Sequence, residues 1–270
     1  MKVVLFCGGL GLRIRDESER LPKPMLRIGT RPILWHIMKY YAHFGHTDFI
    51  LCLGYKGDTI KEYFLDYNEA ISNDFVLSGG GRQIDLINTD LDDWRITFVD
   101  TGLNSTVGER LRRVEEYVGE DEFFLANYAD TLTDVNLPTM VDRLQTSGKT
   151  GIFLSVRPSY TFHVIESDGD DIVRGLHDVA KSNVWINGGY FVFRRNVFDY
   201  LEEGEDLVNG PFLRMIDREE LLAYRYEGYW GPMDTLKDRQ QLELLAESGV
   251  APWRLWKAGQ PPRQPVADIR

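Results

Sequence analysis

The chain opens on an unbroken apolar run, Val3-Val4-Leu5-Phe6-Cys7, that stops at Gly8-Gly9-Leu10-Gly11. A β-prone run with no polar alternation predicts a strand covered on both faces, and the glycines behind it predict a tight turn. Helical periodicity follows from Ile33 to Phe44, with Pro32 near its start and Gly45 past its end. Next come a strand from Asp48 to Leu53, a turn at Gly54 and a helix from about Thr59 to Asn68. Strand, helix, strand, helix at this spacing predicts βαβ units and a mostly parallel α/β sheet, with ligands at the carboxyl ends of its strands.

Between about Phe75 and Val99 the rhythm shortens. Runs such as Gln83-Ile84-Asp85-Leu86-Ile87 and Arg95-Ile96-Thr97-Phe98-Val99, set between Gly and Asp clusters, predict a small antiparallel insertion at about 75–100. A helix from about Gly108 to Val118 leads into the strand Phe123-Phe124-Leu125-Ala126-Asn127-Tyr128, which stops at Ala129-Asp130-Thr131 and so places an aspartate just past a buried strand. The rest alternates strands (Gly151 to Val156, Phe162 to Ile165, Gly189 to Phe193) with helices (Val197 to Leu201, Pro211 to Arg218, Lys237 to Ser248). No repeat or linker divides the chain, so a single domain is expected over 1–258. The proline-rich stretch from Gly259 to Pro265 predicts a flexible tail over 259–270.

Composition agrees with one globular domain: 270 residues, 43% hydrophobic and 27% charged. With 42 acidic against 31 basic side chains the net charge is −11, which argues against a general nucleic-acid binder. Two cysteines, Cys7 and Cys52, are too few for a disulfide framework and fit a reducing cytoplasm. No apolar run approaches the roughly 18 residues of a membrane span, so no membrane partner is expected.

Charge is unevenly placed, and this changes the picture. Between Gly11 and Arg31 stand Arg13, Arg15, Arg20, Lys23, Arg27 and Arg31 against Asp16, Glu17 and Glu19, a local excess of three positive charges in a chain of −11. Glycines let backbone N–H groups approach phosphate oxygens, and Arg13 and Lys23 can neutralise a triphosphate. The P-loop spacing is absent, and a dinucleotide fingerprint fails because Ile14 stands where its third glycine belongs. The loop alone leaves two readings, a plain glycine turn or a phosphate cradle, and the focused charge favours the second.

Seven segments in order then carry a resemblance: Gly8-Gly9-Leu10-Gly11-Leu12-Arg13, Lys23-Pro24-Met25, Pro32 to Met38, Gly54-Tyr55-Lys56-Gly57, Val99-Asp100-Thr101-Gly102, Ile186-Asn187-Gly188-Gly189 and Trp230 to Thr235. Together they resemble the sugar-1-phosphate nucleotidyltransferases, nearest to the glucose-1-phosphate cytidylyltransferase branch. The resemblance implies a Rossmann-like fold of the glycosyltransferase A type, a mixed and mainly parallel sheet flanked by helices. It also implies attack of a sugar 1-phosphate oxygen on the α-phosphorus of a nucleoside triphosphate, giving a nucleotide-sugar and pyrophosphate.

By that resemblance Asp130 and Asp234 are the expected Mg²⁺ ligands, and Arg13 and Lys23 grip the triphosphate. Gly8, Gly9 and Gly11 lie against the nucleotide, Thr101 and Gly102 lie near base and ribose, and Arg110 belongs to the nucleotide pocket. Asn187 and Gly188 face the sugar. Where many relatives carry Glu-Lys-Pro this chain has Asp178-Val179-Ala180, so either Lys181 or His177 takes the place of that lysine at the sugar phosphate or the acceptor is bound differently. CTP and glucose 1-phosphate head the expected substrates, with UTP, GTP or dTTP and a heptose, cyclitol or other phosphate as alternatives. A homo-oligomer is implied, touching its neighbour through the inserted strands.

The remaining singletons predict less. His36, His43 and His46 have no zinc spacing and suggest packing or exposure, while Trp35, Trp230 and Trp253 suggest core or pocket wall. The acidic runs Asp90 to Asp93, Glu120 to Glu122 and Glu202 to Asp206 suggest solvated surface. Rivals are a non-catalytic nucleotide or sugar-phosphate sensor, disfavoured by retention of both aspartates, and a nicotinamide oxidoreductase, disfavoured by glycine spacing.

Overall fold

Val3 and Leu5 face one side of the central sheet, Val4 and Phe6 the other, and all four are buried. A strand can hide both faces only between two layers of helices. The computed structural model describes residues 1–9, 21–91, 93–158, 163–179 and 182–256, so the expected tail at 259–270 lies outside the described residues.

Strand β1 (Val3–Phe6) precedes the small ladder β2 (Arg27–Ile28) and β3 (Arg31–Pro32), helix α1 (Ile33–His43) and strand β4 (Asp48–Leu53). Helix α2 (Gly57–Leu65), the hairpin β5 (Phe75–Ser78) and β6 (Gln83–Leu86), and strand β7 (Arg95–Asp100) follow. Then come α3 (Val107–Arg113), α4 (Glu115–Val118), β8 (Phe123–Asn127), β9 (Thr131–Thr133) and α5 (Leu137–Ser147). The chain continues through β10 (Gly151–Val156), the hairpin β11 (His163–Ser167) and β12 (Val173–Asp178), and β13 (Ile186–Arg194). Helix α6 (Leu213–Asp217), β14 (Leu221–Tyr226), β15 (Trp230–Pro232) and α7 (Leu236–Glu247) complete it.

Seven strands form the main sheet in the order β14-β10-β13-β8-β1-β4-β7. Every pairing is parallel except those of β13, which runs antiparallel to β10 and β8. The carboxyl ends of β1, β4, β7, β8, β10 and β14 therefore share one edge, and β13 starts there. The chain moves outward from β1 to β4 and β7, then returns to β8 on the other side of β1. That reversal opens a crevice at the carboxyl edge between β1 and β8, where doubly wound sheets bind ligands.

One expected boundary moves. Arg95–Asp100 is not part of the antiparallel insertion: it pairs in parallel with β4, from Asp48↔Arg95 to Leu53↔Asp100. Its alternation reflects its position at the sheet edge, where solvent reaches part of the strand. The insertion is thus the β5–β6 hairpin alone. Asp90 also departs from the expected solvated surface; it is buried and accepts hydrogen bonds from Lys39, Tyr67, Ser72 and Asn73.

Candidate active site

Two aspartates far apart in sequence are brought together by backbone pairing. At the end of β8 the buried Asn127 accepts the Ala129 N–H through Oδ1 at 2.6 Å, and Ala129 takes a left-handed φ of 62°. This side-chain-closed turn aims Asp130 out of the sheet edge. The β9–β15 ladder, Thr131↔Pro232 to Thr133↔Trp230, and the bond from Met233 N–H to Asp130 O (3.0 Å) lay Asp234 beside it. Asp234 is fixed in turn by α7. Thr235 and Asp238 form a reciprocal cap, and Asp238 Oδ2 also accepts the Asp234 N–H at 3.1 Å.

Lys23 joins them. It starts a short 3-10 turn, Lys23–Met25, whose Pro24 and Met25 are buried, so its backbone is anchored while its stem reaches the crevice. Its ammonium donates to Asp130 Oδ2 at 2.7 Å and to Asp234 Oδ1 at 2.6 Å. Burial works against the charged amine, but the two carboxylates outweigh it and hold the Lys23 pKa above its ordinary value. The three groups carry a net −1 and converge on one point, an arrangement that can hold a cation between hard oxygen ligands.

The nucleotide side is built around Arg110. Although it sits on α3, its side chain is only 3% exposed, so it is not a solvated helix charge. Its guanidinium donates to Gly8 O (2.9 Å), Leu53 O (3.1 Å), Gly102 O (2.9 Å) and Thr101 Oγ1 (2.7 Å), with a longer contact to Leu103 O (3.4 Å). One cation thus ties together the loops leaving β1, β4 and β7. The glycines are required by this arrangement: a Cβ on Gly8 would lie 2.1 Å from Arg110 Nη1, and one on Gly54 would lie 2.8 Å away. Arg110 is expected to belong to the nucleotide pocket; in the structure its guanidinium is engaged with loop carbonyls and the Thr101 hydroxyl. Thr101 is likewise buried and gives its hydroxyl to Leu53 O at 2.7 Å. Gly102, at φ 89°, turns the chain at the rim.

On the other side of the crevice Asn187 accepts the Gly189 N–H (2.9 Å) and donates to Tyr128 Oη (3.3 Å). Gly188 O accepts the Trp230 indole N–H at 2.9 Å. Tyr128 and Trp230 thereby wall the segment expected to face the sugar. Tyr128 was not singled out from sequence, although it directly follows a buried strand two residues before Asp130, which was the available signal. His177 is exposed on β12 and faces Glu166 at 3.5 Å. Gly9 is exposed at the mouth, with open space where a Cβ would stand. The expected roles of Gly11, Arg13 and Lys181 lie outside the described residues.

A lysine and two converging carboxylates thus stand at the carboxyl edge of a doubly wound sheet, at its topological switch point, where such folds bind ligands. The comparisons make the class specific. The Nucleotidyl transferase family profile matches residues 2–236, and the chain belongs to that family. It is 39% identical over 259 residues to the glucose-1-phosphate cytidylyltransferase of Salmonella typhi, covering 95% of this chain and 100% of that protein. Identity is 35% to the probable glucose-1-phosphate cytidylyltransferase of Bacillus subtilis, with coverage of 95% and 100%. Among solved structures, a UDP-glucose pyrophosphorylase complexed with UDP-glucose superposes with a TM-score of 0.68 at 15% identity, over 92% of this chain and 98% of that one, which establishes the shared fold. No helix among the described residues is long and apolar enough to cross a membrane.

Proposed function

We propose that the protein transfers a cytidylyl group from CTP to glucose 1-phosphate, giving CDP-glucose and pyrophosphate. Near full-length similarity to relatives bearing that name supports the substrates. The observation that carries the chemistry is the convergence of Lys23, Asp130 and Asp234 at the crevice. In the reaction a phosphate oxygen of glucose 1-phosphate forms a bond to the α-phosphorus of CTP, and the bond from that phosphorus to the bridging oxygen of the β-phosphate breaks, so pyrophosphate leaves. Such a transfer needs alignment and charge neutralisation more than covalent help from protein. The Arg110-braced loops position the nucleotide, the Asn187-Gly188 segment with Tyr128 and Trp230 positions the sugar, and Lys23 neutralises phosphate charge.

Mg²⁺ fits the donor set. Asp130 and Asp234 offer hard carboxylate oxygens, and one ammonium already reaches both within 2.7 Å; Mg²⁺ is held by one or two carboxylates together with substrate phosphates and water. When bound, it supplies charge neutralisation at the phosphates undergoing transfer. A homo-oligomer in the cytoplasm completes the proposal. Cys7 and Cys52 are free and buried, as suits a reducing compartment. Leu77 and Ile84, paired across the β5–β6 hairpin, are each more than half exposed, an apolar pair on one face for a second copy. Sedimentation velocity tests this: a multimer is expected, reduced in size by Leu77→Lys, whereas a monomeric wild type would refute it.

Pyrophosphate release with Mg²⁺, the four common nucleoside triphosphates and a panel of sugar 1-phosphates tests the reaction. CTP with glucose 1-phosphate is expected to give the highest kcat/KM. Tight nucleotide binding with no release from any pair would identify a sensor instead.

A further inference from the structure

Away from the catalytic cluster, a chamber of about 620 Å³ lies against the first turns of α1, the segment ahead of β7 and the chain that follows α7. Its volume falls within the roughly 300–1,000 Å³ of small-molecule sites. Lys23, Asp130 and Asp234 do not line it.

One wall is rigid and electrically closed. Arg31, 3% exposed, donates to Ser72 Oγ at 2.6 Å and Asn68 O at 2.7 Å and stacks 4.2 Å above the Tyr67 ring. Asp90 pairs with Lys39 at 3.0 Å, and Glu69 holds the backbone N–H groups of Asp90 and Leu91. The opposite wall has unengaged polar groups. His36 is 2% exposed; its Nε2 meets Ile28 O at 3.0 Å while Nδ1 has no partner. Burial, with Arg254 and Arg31 nearby, lowers the His36 pKa to about 3. The neutral ring donates from Nε2 to the carbonyl and keeps a bare acceptor at Nδ1. Arg254 makes one hydrogen bond among the described residues, from Nη1 to Ala246 O at 3.2 Å, and its remaining N–H groups are open to an anion. Trp35 and Trp256 stand edge to face, 5.8 Å apart.

We propose that this chamber is a second nucleotide site: a base packs against the indoles of Trp35 and Trp256, one of its N–H groups donates to His36 Nδ1, and its phosphate meets Arg254. A planar ring, an N–H donor and an anion must come in one molecule, and a cytidine nucleotide has all three. The choice of cytidine rests on the reaction proposed above. Occupancy would reach the catalytic cluster through short connections. His36 is bonded to Ile28 of β2, and Leu26 N–H is bonded to Lys23 O at 3.1 Å. Arg239 of α7 is bonded to Arg27 O at 3.3 Å, and the α7 cap holds Asp234.

Equilibrium dialysis with CTP and with CDP-glucose tests the site. Two sites per chain are expected in the wild type, one weakened by Lys23→Ala. The other should weaken about tenfold or more in Arg254→Ala, the loss of one charge-assisted contact, and also in Trp256→Ala. Wild-type turnover at low nucleotide would show both variants to be folded, and both should lose the non-competitive component of product inhibition. A single wild-type site, or a second one unmoved by either substitution, overturns the proposal. Displacement of label by orthophosphate as readily as by CMP overturns the nucleotide assignment. Comparison of CTP with CDP-glucose identifies which is the better ligand. If no triphosphate and sugar phosphate release pyrophosphate, the proposed reaction fails separately from this binding count.

Discussion

Replacing Arg110 by alanine separates a contact residue from a positioning one. Of the carbonyls it holds, Gly8 O keeps the Tyr55 N–H (3.3 Å) and Leu53 O keeps the Thr101 N–H (2.9 Å), so neither is stranded. Gly102 O and Leu103 O have no other partner among the described residues. A buried acceptor left unmatched costs about 1–3 kcal/mol. Leu103 is exposed, so water can reach its carbonyl, and removing a buried guanidinium also removes its own desolvation cost. A net destabilisation of about 1–2 kcal/mol follows, on that scale. With a urea slope near the top of the usual range, the unfolding midpoint should fall by about 0.5 M. The loops after β1 and β7 lose their brace, so KM for the nucleotide should rise together with the loss of stability, and Arg110→Lys should fall between wild type and alanine in both. An unchanged midpoint with a raised nucleotide KM would refute the brace and return Arg110 to direct contact.

Other expectations follow from the same geometry. Asp130→Asn and Asp234→Asn should each lower turnover by at least about 100-fold, the scale of losing one charge-stabilising group; retained pyrophosphate release in either would sink the metal-ligand assignment. The Lys23 pKa is held up in the folded state, so its stabilisation is complete below the ordinary lysine value and is lost as pH rises through the raised one. The stability gap between wild type and Lys23→Met, measured by denaturant titration, should be constant from neutral to mildly alkaline pH and close only in strong alkali. His36 has the opposite sense: with its pKa lowered to about 3, folding excludes the proton, so stability is complete above the ordinary value near 6.5 and declines below it. At about 1.4 kcal/mol per pH unit the loss is about 2 kcal/mol at pH 5. The difference in stability between wild type and His36→Gln should show that slope, and a flat difference would refute it.

Strands buried on both faces were legible to the residue. Asp48–Leu53 and Gly151–Val156 coincide with their apolar runs because nothing but the run's end terminates such a strand. Edges were harder: β7 and β14 are bounded on one side by solvent, and their mixed composition hides the parallel pairing. Helix α5 was missed although Leu137, Met140, Val141 and Leu144 share its buried stripe and Pro138 sits at a favourable start. Asp130 could be placed at a strand end from sequence alone. The carbonyl brace around Arg110 could not, because it joins loops about 50 and 100 residues away, with Arg110 lying 57 residues from Leu53 and 102 from Gly8. Nor could Asp90, whose acidic neighbours suggested surface while its partners Lys39 and Tyr67 come from other elements.

The cluster of Lys23, Asp130 and Asp234 explains why a cationic segment belongs in so acidic a chain. Asp130 and Asp234 each lie within 2.7 Å of the Lys23 ammonium, so their bonded oxygens are no more than about 5 Å apart. Two negative charges at that separation repel by about 3 kcal/mol at an effective dielectric of 20. Without a cation between them the crevice would resist the very triphosphate it must admit. Lys23 supplies that cation. It is rooted in the stretch from Gly11 to Arg31 that carries three excess positive charges in a chain of −11. In the reaction proposed above, its flexible stem, unlike the planar fork of an arginine, would follow a phosphate and leave the carboxylates to hold Mg²⁺. Lys23→Arg should therefore preserve folding and pairing with both aspartates yet lower turnover. Wild-type turnover in that variant would show that charge alone, and not the compact mobile ammonium, is what the site requires.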